Sequence, residues 1–311
     1  MTTNSAVDHG MGVAIAPTRA VDPPPATPSH RPDPFEPTDL GDDLTPPTLV
    51  VPSRWRRRAA AVGWGIVGLV GFGLLWQLVS LRTELPGPVE TLDVLGQLLR
   101  DAFDPEGPAG KGVGLQMWDS LRKVLEGFVI AAVVGIPVGF AIGTSRRLHQ
   151  AVNPVIQLLR PVSPLAWFPI WLTVMVKSDP ASIGVIFITA VWPVILNTAA
   201  GAASVPSYQR NVARVFRFSK WTELREIVVP HALPQVITGL RLSMGIAWMV
   251  IVAAEMLSAA SGIGFFIWQS YNGQGLTYVL ASIILIGIVG LTMDLGFQAL
   301  GRKVAHEGVA P

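Results

Sequence analysis

The chain has no cysteine among its 311 residues, which excludes disulfides, thiolate metal sites and a cysteine nucleophile. Histidine is almost as scarce. His9, His30, His149, His231 and His306 stand far apart, with no pair at metal-ligand spacing. Charged residues make up only 14% of the chain, against roughly a quarter in soluble domains. Phosphate loops are missing too: Gly110-Lys111 is followed by Gly112, which breaks the G-x-x-x-x-G-K-[ST] spacing. The chain therefore carries no ATPase of its own. With no H-E-x-x-H helix and no G-x-S-x-G on a turn, a membrane-embedded enzyme is also disfavoured.

Half of the chain is apolar, a balance that a soluble core does not account for. The 23 Lys and Arg against 21 Asp and Glu flank apolar runs instead of forming one face, so they read as membrane topology and not as a nucleic-acid surface. Residues 1–53, rich in Pro, Asp and Thr without apolar periodicity, are expected to be a disordered cytoplasmic tail. Arg54-Trp-Arg-Arg-Arg58 then precedes a charge-free run over 62–81, the length of a spanning helix. It reads as a retained first span, because it starts too deep in the chain for a signal peptide. Further apolar runs at 124–144, 155–176, 182–203, 236–260 and 278–300 predict six spans in an all-α membrane protein.

Flanking charge predicts the orientation. Ser145-Arg-Arg-Leu-His149, the basic insert over 205–235 and Arg302-Lys303 fall on the cytoplasmic side, as do both termini, while residues 261–277 carry no Lys or Arg and fall outside. Arg122-Lys123 and Lys177 are exceptions on the outer side. The chain divides into a tail over 1–53, a first helix and outer segment over 54–120, a core over 121–303 and a C-terminal cytoplasmic tail over 304–311. The outer segment should contain a short helix along the surface around 91–103.

Gly63-Trp-Gly-Ile-Val-Gly68 matches a dinucleotide fingerprint by letter, but it lies inside a span, where small residues favour helix packing. Gly135, Gly139 and Gly143 repeat every four residues and line one face of the second span. In the basic insert, Trp221, Leu224, Ile227 and Val228 recur at helical spacing between Lys220, Glu223, Arg225 and Glu226. This pattern predicts a helix that presents apolar residues to a partner surface and ends at Pro230 and Pro234.

The insert resembles the EAA loop of binding-protein-dependent ABC importer permeases, with Leu233-Pro234 leading into the next span. The family's triplet would lie at Asn211-Val212-Ala213, of which Ala213 alone is retained, and Arg217 stands where the family has glycine. Together with Pro164-Leu-Ala-Trp-Phe-Pro169, Ala253-Ala-Glu-Met256 and Gly262-Ile-Gly-Phe-Phe-Ile-Trp268, the form Asn211-Val-Ala-Arg-Val215 followed by Ser219 is similar to permeases for nitrate, sulfonate and bicarbonate, most of all the nitrate branch. The resemblance implies a six-span type I (MetI-like) importer subunit in the inner membrane that pairs with a second permease copy, as a homodimer. It would receive a small anion from an external solute-binding protein and dock ATPase subunits that bind ATP and Mg. Asn211, Val212, Ala213, Arg214, Arg217, Ser219, Trp221, Leu233 and Pro234 would then form the ATPase-coupling surface. Sulfonate, taurine, bicarbonate and cyanate are the alternative cargoes. An ion-coupled secondary transporter would instead need coupling carboxylates and an internal repeat, and one basic insert among six spans argues against it.

Ionisable groups inside spans cost roughly 2.5–3.5 kcal/mol each on insertion scales, so Arg160, Arg241, Glu255 and Asp294 need interior or interfacial roles. The arginines lie where they can snorkel or guide an anion inward. Glu255 would repel an anionic cargo and is better suited to a structural or gating pair, and Asp294 to a partner on another span. Pro161, Pro164 and Pro169 break the third predicted span, and broken helices occur where they line a path or pack in protein. Arg160, Ser163, Trp167, Asn197, Arg241 and Glu255 are accordingly the residues expected along the translocation path.

Overall fold

The computed structural model describes residues 54–105, 111–273 and 275–307, with the backbone alone for 54, 56–61 and 303–307. The expected disordered tail at 1–53 lies outside the described residues. The chain divides at Val62 into two units, and the first contributes only the opening turns of α1 (Arg54–Ser80) to the described structure. All described elements are helical. After α1 come α2 (Pro88–Arg100), α3 (Val113–Thr144), α4 (Arg146–Leu159), a 3-10 turn (Pro164–Trp167), α5 (Phe168–Met175) and α6 (Ser178–Ala203). Then follow α7 (Ser207–Val215), α8 (Lys220–Glu223), a π-helical turn (Leu224–Val228), α9 (Val229–Ser258), α10 (Ile263–Gly273) and α11 (Leu276–Glu307).

Five helices are long and apolar enough to cross a membrane, and the third predicted span is a pair, α4 and the 164–175 segment, bent by 93°. Proline is the cause of the bend. Pro161 and Pro164 lack N–H donors, and Pro164 disfavours helical backbone in the residue before it, so Ser163 is extended at φ −55°, ψ 130°, whereas Arg160 before Pro161 stays helical as the C-cap of α4. Counting the bent pair as one span restores six.

The bundle is organised around α6, which packs on α3 along one side and α9 along the other. Gly127, Gly135, Gly139 and Gly143 face α6. A methyl group at Gly139 would come within 2.6 Å of Thr198 Cβ, and one at Gly127 within 2.6 Å of Ile186 Cγ2. The glycine row thus lets two spans approach at backbone distance, with Val124, Ala131, Ile186, Ala190, Val191 and Ala247 filling the core between α3, α6 and α9. The glycines of α1 contrast with these: Gly63, Gly65, Gly68, Gly71 and Gly73 have nothing within 4 Å. As expected for the outer segment, α2 lies amphipathically, burying Leu95 and Leu98 against Phe266, Ala281 and Leu285.

Pro230 and Pro234 do not end the helix that begins in the basic insert. The π-helical turn, in which the Val229 N–H reaches the Leu224 carbonyl, carries the chain into α9, with Pro230 in its first turn and Pro234 inside it. Widening the turn ahead of the prolines lets the helix continue although these positions lack donors. The apolar face of the insert also turns the other way from the sequence expectation: Val228 is buried and Leu224 and Ile227 are half-buried with Phe140, Ala202 and Val205 of the same bundle. Arg217, at the family's glycine position, adopts φ 53° in the turn between α7 and α8. The left-handed break is kept without the residue that makes it easiest.

A buried ion pair ties α3, α9 and the start of α10 together. Glu255 is fully buried, and its carboxylate accepts from Ser120 Oγ at 2.8 Å, the Gly264 N–H at 3.0 Å and Lys123 Nζ at 3.3 Å. Lys123, itself 4% exposed, also donates to the Ser261 carbonyl and pairs with Asp179 at 3.1 Å. Gln116 Oε1 accepts from the Gly262 N–H at 2.7 Å, and Ser120 Oγ accepts from the Ile263 N–H at 2.8 Å. Three consecutive backbone donors at 262–264 are therefore held by side chains, and the turn at Gly262 (φ 134°) leaves no room for a Cβ against the Glu255 carboxylate. Lys123, read from sequence as a basic residue on the outer flank, is the counter-ion of the deepest carboxylate. Asp294 also finds a partner: it receives a bidentate pair from Arg241 at 2.5 and 2.9 Å, and Gln298 donates to it at 2.8 Å.

Breaking a buried pair by removing one partner costs about 3–5 kcal/mol, because the other charge is left unpaired. Glu255→Leu and Lys123→Met should each lower the thermal unfolding midpoint in detergent strongly, and the double variant should recover part of the loss. Asp179→Asn, at a half-exposed side chain, should shift stability by less than about 1 kcal/mol. Equal midpoints for all four variants would show that the network holds nothing. Arg217→Gly relieves a left-handed conformation that costs a non-glycine residue about 1 kcal/mol, so the same assay should find it neutral to stabilising.

Candidate translocation cavity and coupling surface

The bend between α4 and α5 opens a cavity of about 580 Å³ against α6 and α9. Arg160, which caps the C-terminus of α4 through its N–H to the Ile156 carbonyl at 2.9 Å, stands at its wall. It is the one charged side chain in the lining, and no carboxylate joins it. Trp167 and Trp192 give aromatic walls, Leu242 and Ile246 of α9 an aliphatic one. On α6, Thr189, Pro193 and Asn197 follow at four-residue spacing along the face that lines the cavity. The Asn197 amide is fixed by donating to the Pro193 carbonyl at 2.8 Å, and the Thr189 hydroxyl by donating to the Val185 carbonyl at 2.7 Å. A cationic group with amide and aromatic neighbours and no acid in the lining suits a small, weakly hydrated anion.

Of the residues expected along the path, Arg160, Trp167 and Asn197 are brought together here. Ser163 lies next to the wall at the start of the 3-10 turn, where its carbonyl accepts from the Ala166 N–H at 3.0 Å. Arg241 and Glu255 sit elsewhere, in the pairs with Asp294 and Lys123. Thr189, Trp192, Leu242 and Ile246 were not foreseen. The four-residue spacing of Thr189 and Pro193 with Asn197 was the signal available for the first.

At one end of the bundle, α7, α8 and the turn between them form a separate exposed surface. Asn211, Val212, Arg214, Arg217, Ser219 and Trp221 are exposed on it, whereas Ala213 is buried within the chain. Phe218 donates its N–H to the Ala213 carbonyl at 2.9 Å, and Ser219 caps α8 by accepting the Thr222 N–H at 3.1 Å. Phe216 and Phe218, with ring centroids 6.3 Å apart, are exposed, as is Trp221 at the start of α8, 69% exposed. Leu233 and Pro234 lie in the first turns of α9, after the π-helical turn. Exposed large aromatics of this kind are enriched at protein contacts.

Comparison with known proteins agrees with this geometry. The chain is 44% identical over 223 residues to the nitrate import permease protein NrtB of a Synechocystis species, covering 71% of this chain and 81% of that protein. It is 42% identical over 259 residues to the bicarbonate transport system permease protein CmpB of Synechococcus elongatus, covering 82% and 93%. Among solved structures, an inward-facing MetNI methionine ABC transporter chain superposes with a TM-score of 0.56 at 16% identity, over 60% of this chain and 93% of that one, so the fold is of the MetI type. Residues 133–306 match the family described as binding-protein-dependent transport system inner membrane component, and this multi-pass chain belongs to that family.

Proposed function

We propose that the chain is the membrane-spanning permease of an ATP-driven importer for a small oxoanion, with nitrate or nitrite as cargo. The observation that carries this reading is the cavity whose single charged wall residue is Arg160, with no acid beside it. The identity with nitrate and bicarbonate permeases supports the anionic class. Bicarbonate is the second reading, favoured by the longer alignment with the bicarbonate permease.

Two copies pair, each docking one ATPase subunit on the α7–α8 surface, and ATP with Mg is bound by that partner. The basic flanks put this surface and both termini in the cytoplasm, and an external solute-binding protein delivers the anion to the opposite side. Closing of the ATPase pair moves the two coupling surfaces together. The helices respond as packed rigid bodies, exposing the cavity to alternate sides. Within the cavity Arg160 supplies attraction without deep burial, so the anion binds weakly enough to leave. The second amide proton of Asn197, the one not given to the Pro193 carbonyl, orients it.

A hydrogen bond to a charged group contributes about 1.5–3 kcal/mol, so Arg160→Gln should reduce uptake of labelled nitrate at limiting concentration roughly tenfold to a hundredfold. Arg160→Lys should retain more. Cells would express the permease with its ATPase and binding protein, and membrane abundance would be measured in parallel. Unchanged uptake in Arg160→Gln would remove the cavity from the path. Bicarbonate uptake with no nitrate uptake would select the second reading.

Exposed aromatic anchors at interfaces often contribute 2 kcal/mol or more. Trp221→Ala combined with Phe216→Ala should abolish co-purification of the ATPase while leaving the detergent-solubilised permease folded. Full retention of the ATPase would place docking elsewhere.

A further inference from the structure

A second, smaller cleft lies at the coupling-surface end of the bundle, away from the translocation cavity. It measures about 320 Å³, and Arg146 and His149 of α4 and Arg210 of α7 supply its ionisable lining, over Ile142, Thr144 and Ala203. No carboxylate lines it. The two arginines therefore face a shared space, from different elements, without a counter-ion in that lining. Positive flanking residues are ordinary at a membrane border, but Arg210 is held in place. Its Nη2 donates to the Ala202 carbonyl at the end of α6 at 2.9 Å, and its Nε is buried without an acceptor. Buried charged donors are rarely left so, because the missing acceptor costs free energy. The cleft also adjoins the opening turn of the 14-residue α4, which has no acidic residue in it and whose N–H groups are only partly satisfied by Ser145.

We infer that this cleft is a binding site for one phosphate-class oxoanion group, clamped between Arg146 and His149 on α4 and Arg210 on α7. The Arg146 fork, the remaining Nη1 of Arg210 and an imidazole suit a multiply charged tetrahedral group better than a planar monoanion. The group has two possible sources, free cytoplasmic phosphate or the headgroup of a lipid with a terminal phosphate, since the site adjoins the end of a spanning helix. The consequence lies in where the two clamped helices lead. α4 ends at Arg160 in the translocation cavity, and α7 belongs to the coupling surface. An anion in the cleft braces one against the other. That regulatory consequence rests on the proposed transport function, whereas the binding itself does not.

The test uses the full-length chain purified in detergent, titrated with inorganic phosphate against sodium chloride at equal ionic strength, with thermal unfolding as the readout. A parallel arm places it in phosphatidylcholine nanodiscs with and without phosphatidic acid. A saturable rise in the midpoint is expected in at least one arm, and apparent affinity should fall at least tenfold in Arg146→Gln and in Arg210→Gln. Arg147→Gln, adjacent in sequence but outside the lining, should bind as the parent does. A rise with phosphate identifies the free anion, and a rise with phosphatidic acid alone identifies the lipid. Should Arg210→Gln unfold in chloride alone, Arg146→Gln, at an exposed position, decides the matter. No saturable rise in either arm, or an equal loss in Arg147→Gln, overturns the site. Nitrate uptake and ATPase co-purification by the parent chain are followed separately: their failure would sink the transport reading and leave phosphate binding standing.

Discussion

Close approach of α3 to α6 is the contact on which the other features depend. Inside a bilayer, apolar surface gains little by leaving lipid for protein, so helices associate where their shapes allow many short contacts. Gly127, Gly135, Gly139 and Gly143 supply that shape, admitting Ile186, Val194, Thr198 and Ala199 against the bare backbone of α3. With α6 fixed on one side, its opposite edge takes α9, where Gly239 meets Asn197 and the Pro193 carbonyl. Asn197 and Pro193 also line the cavity. The cavity wall is thus an edge of the tightest-packed helix, which explains how an opening of this size coexists with a rigid frame.

Charge is handled differently at two depths. The Glu255–Lys123 pair is sealed from solvent and saturated with hydrogen bonds, an arrangement that is costly to form and costlier to break. The Arg241–Asp294 pair is half-exposed in a shallow groove between α9 and α11, with Gly245, Trp248 and Gly290 around it. Arg160 is paired with neither acid. Segregating Glu255 and Asp294 against their own cations leaves the candidate cavity with a positive group and no acid in its lining, the electrostatic condition that the proposed anion path requires.

Much of this was legible in the sequence. Apolar runs located the spans, the glycine spacing on the second span located its packing face, and the clustered prolines located the bend that brings Arg160, Trp167 and Asn197 to one cavity. Pairings across the bundle were not legible. Lys123 and Glu255 are separated by 132 residues and Arg241 and Asp294 by 53, and periodicity along a helix carries no information about which neighbour a side chain meets. For the insert, the amphipathic pattern of Trp221, Leu224, Ile227 and Val228 indicated a helix but not which body its apolar face would cover. The bundle takes that face, and the aromatic residues of the turn before it stay exposed. Proline at 230 and 234 read as a stop because a widened turn upstream has no sequence signature of its own.

That widened turn has a mechanical consequence. Helical backbone runs without interruption from Lys220 to Ser258, 39 residues, or about 58 Å at 1.5 Å per residue. One end stands beside Phe218 and Trp221, and three residues from the other end lies Glu255, locked to Lys123. No loop interrupts it, and the π-helical turn at 224–228 with Pro230 and Pro234 is where it can bend. One continuous helix thus joins the exposed α8 turn to the salt-bridged turn at Glu255, and under the proposed coupling role a displacement at the first end reaches the second through backbone, with any bending confined to the widened turn and the two prolines near its start.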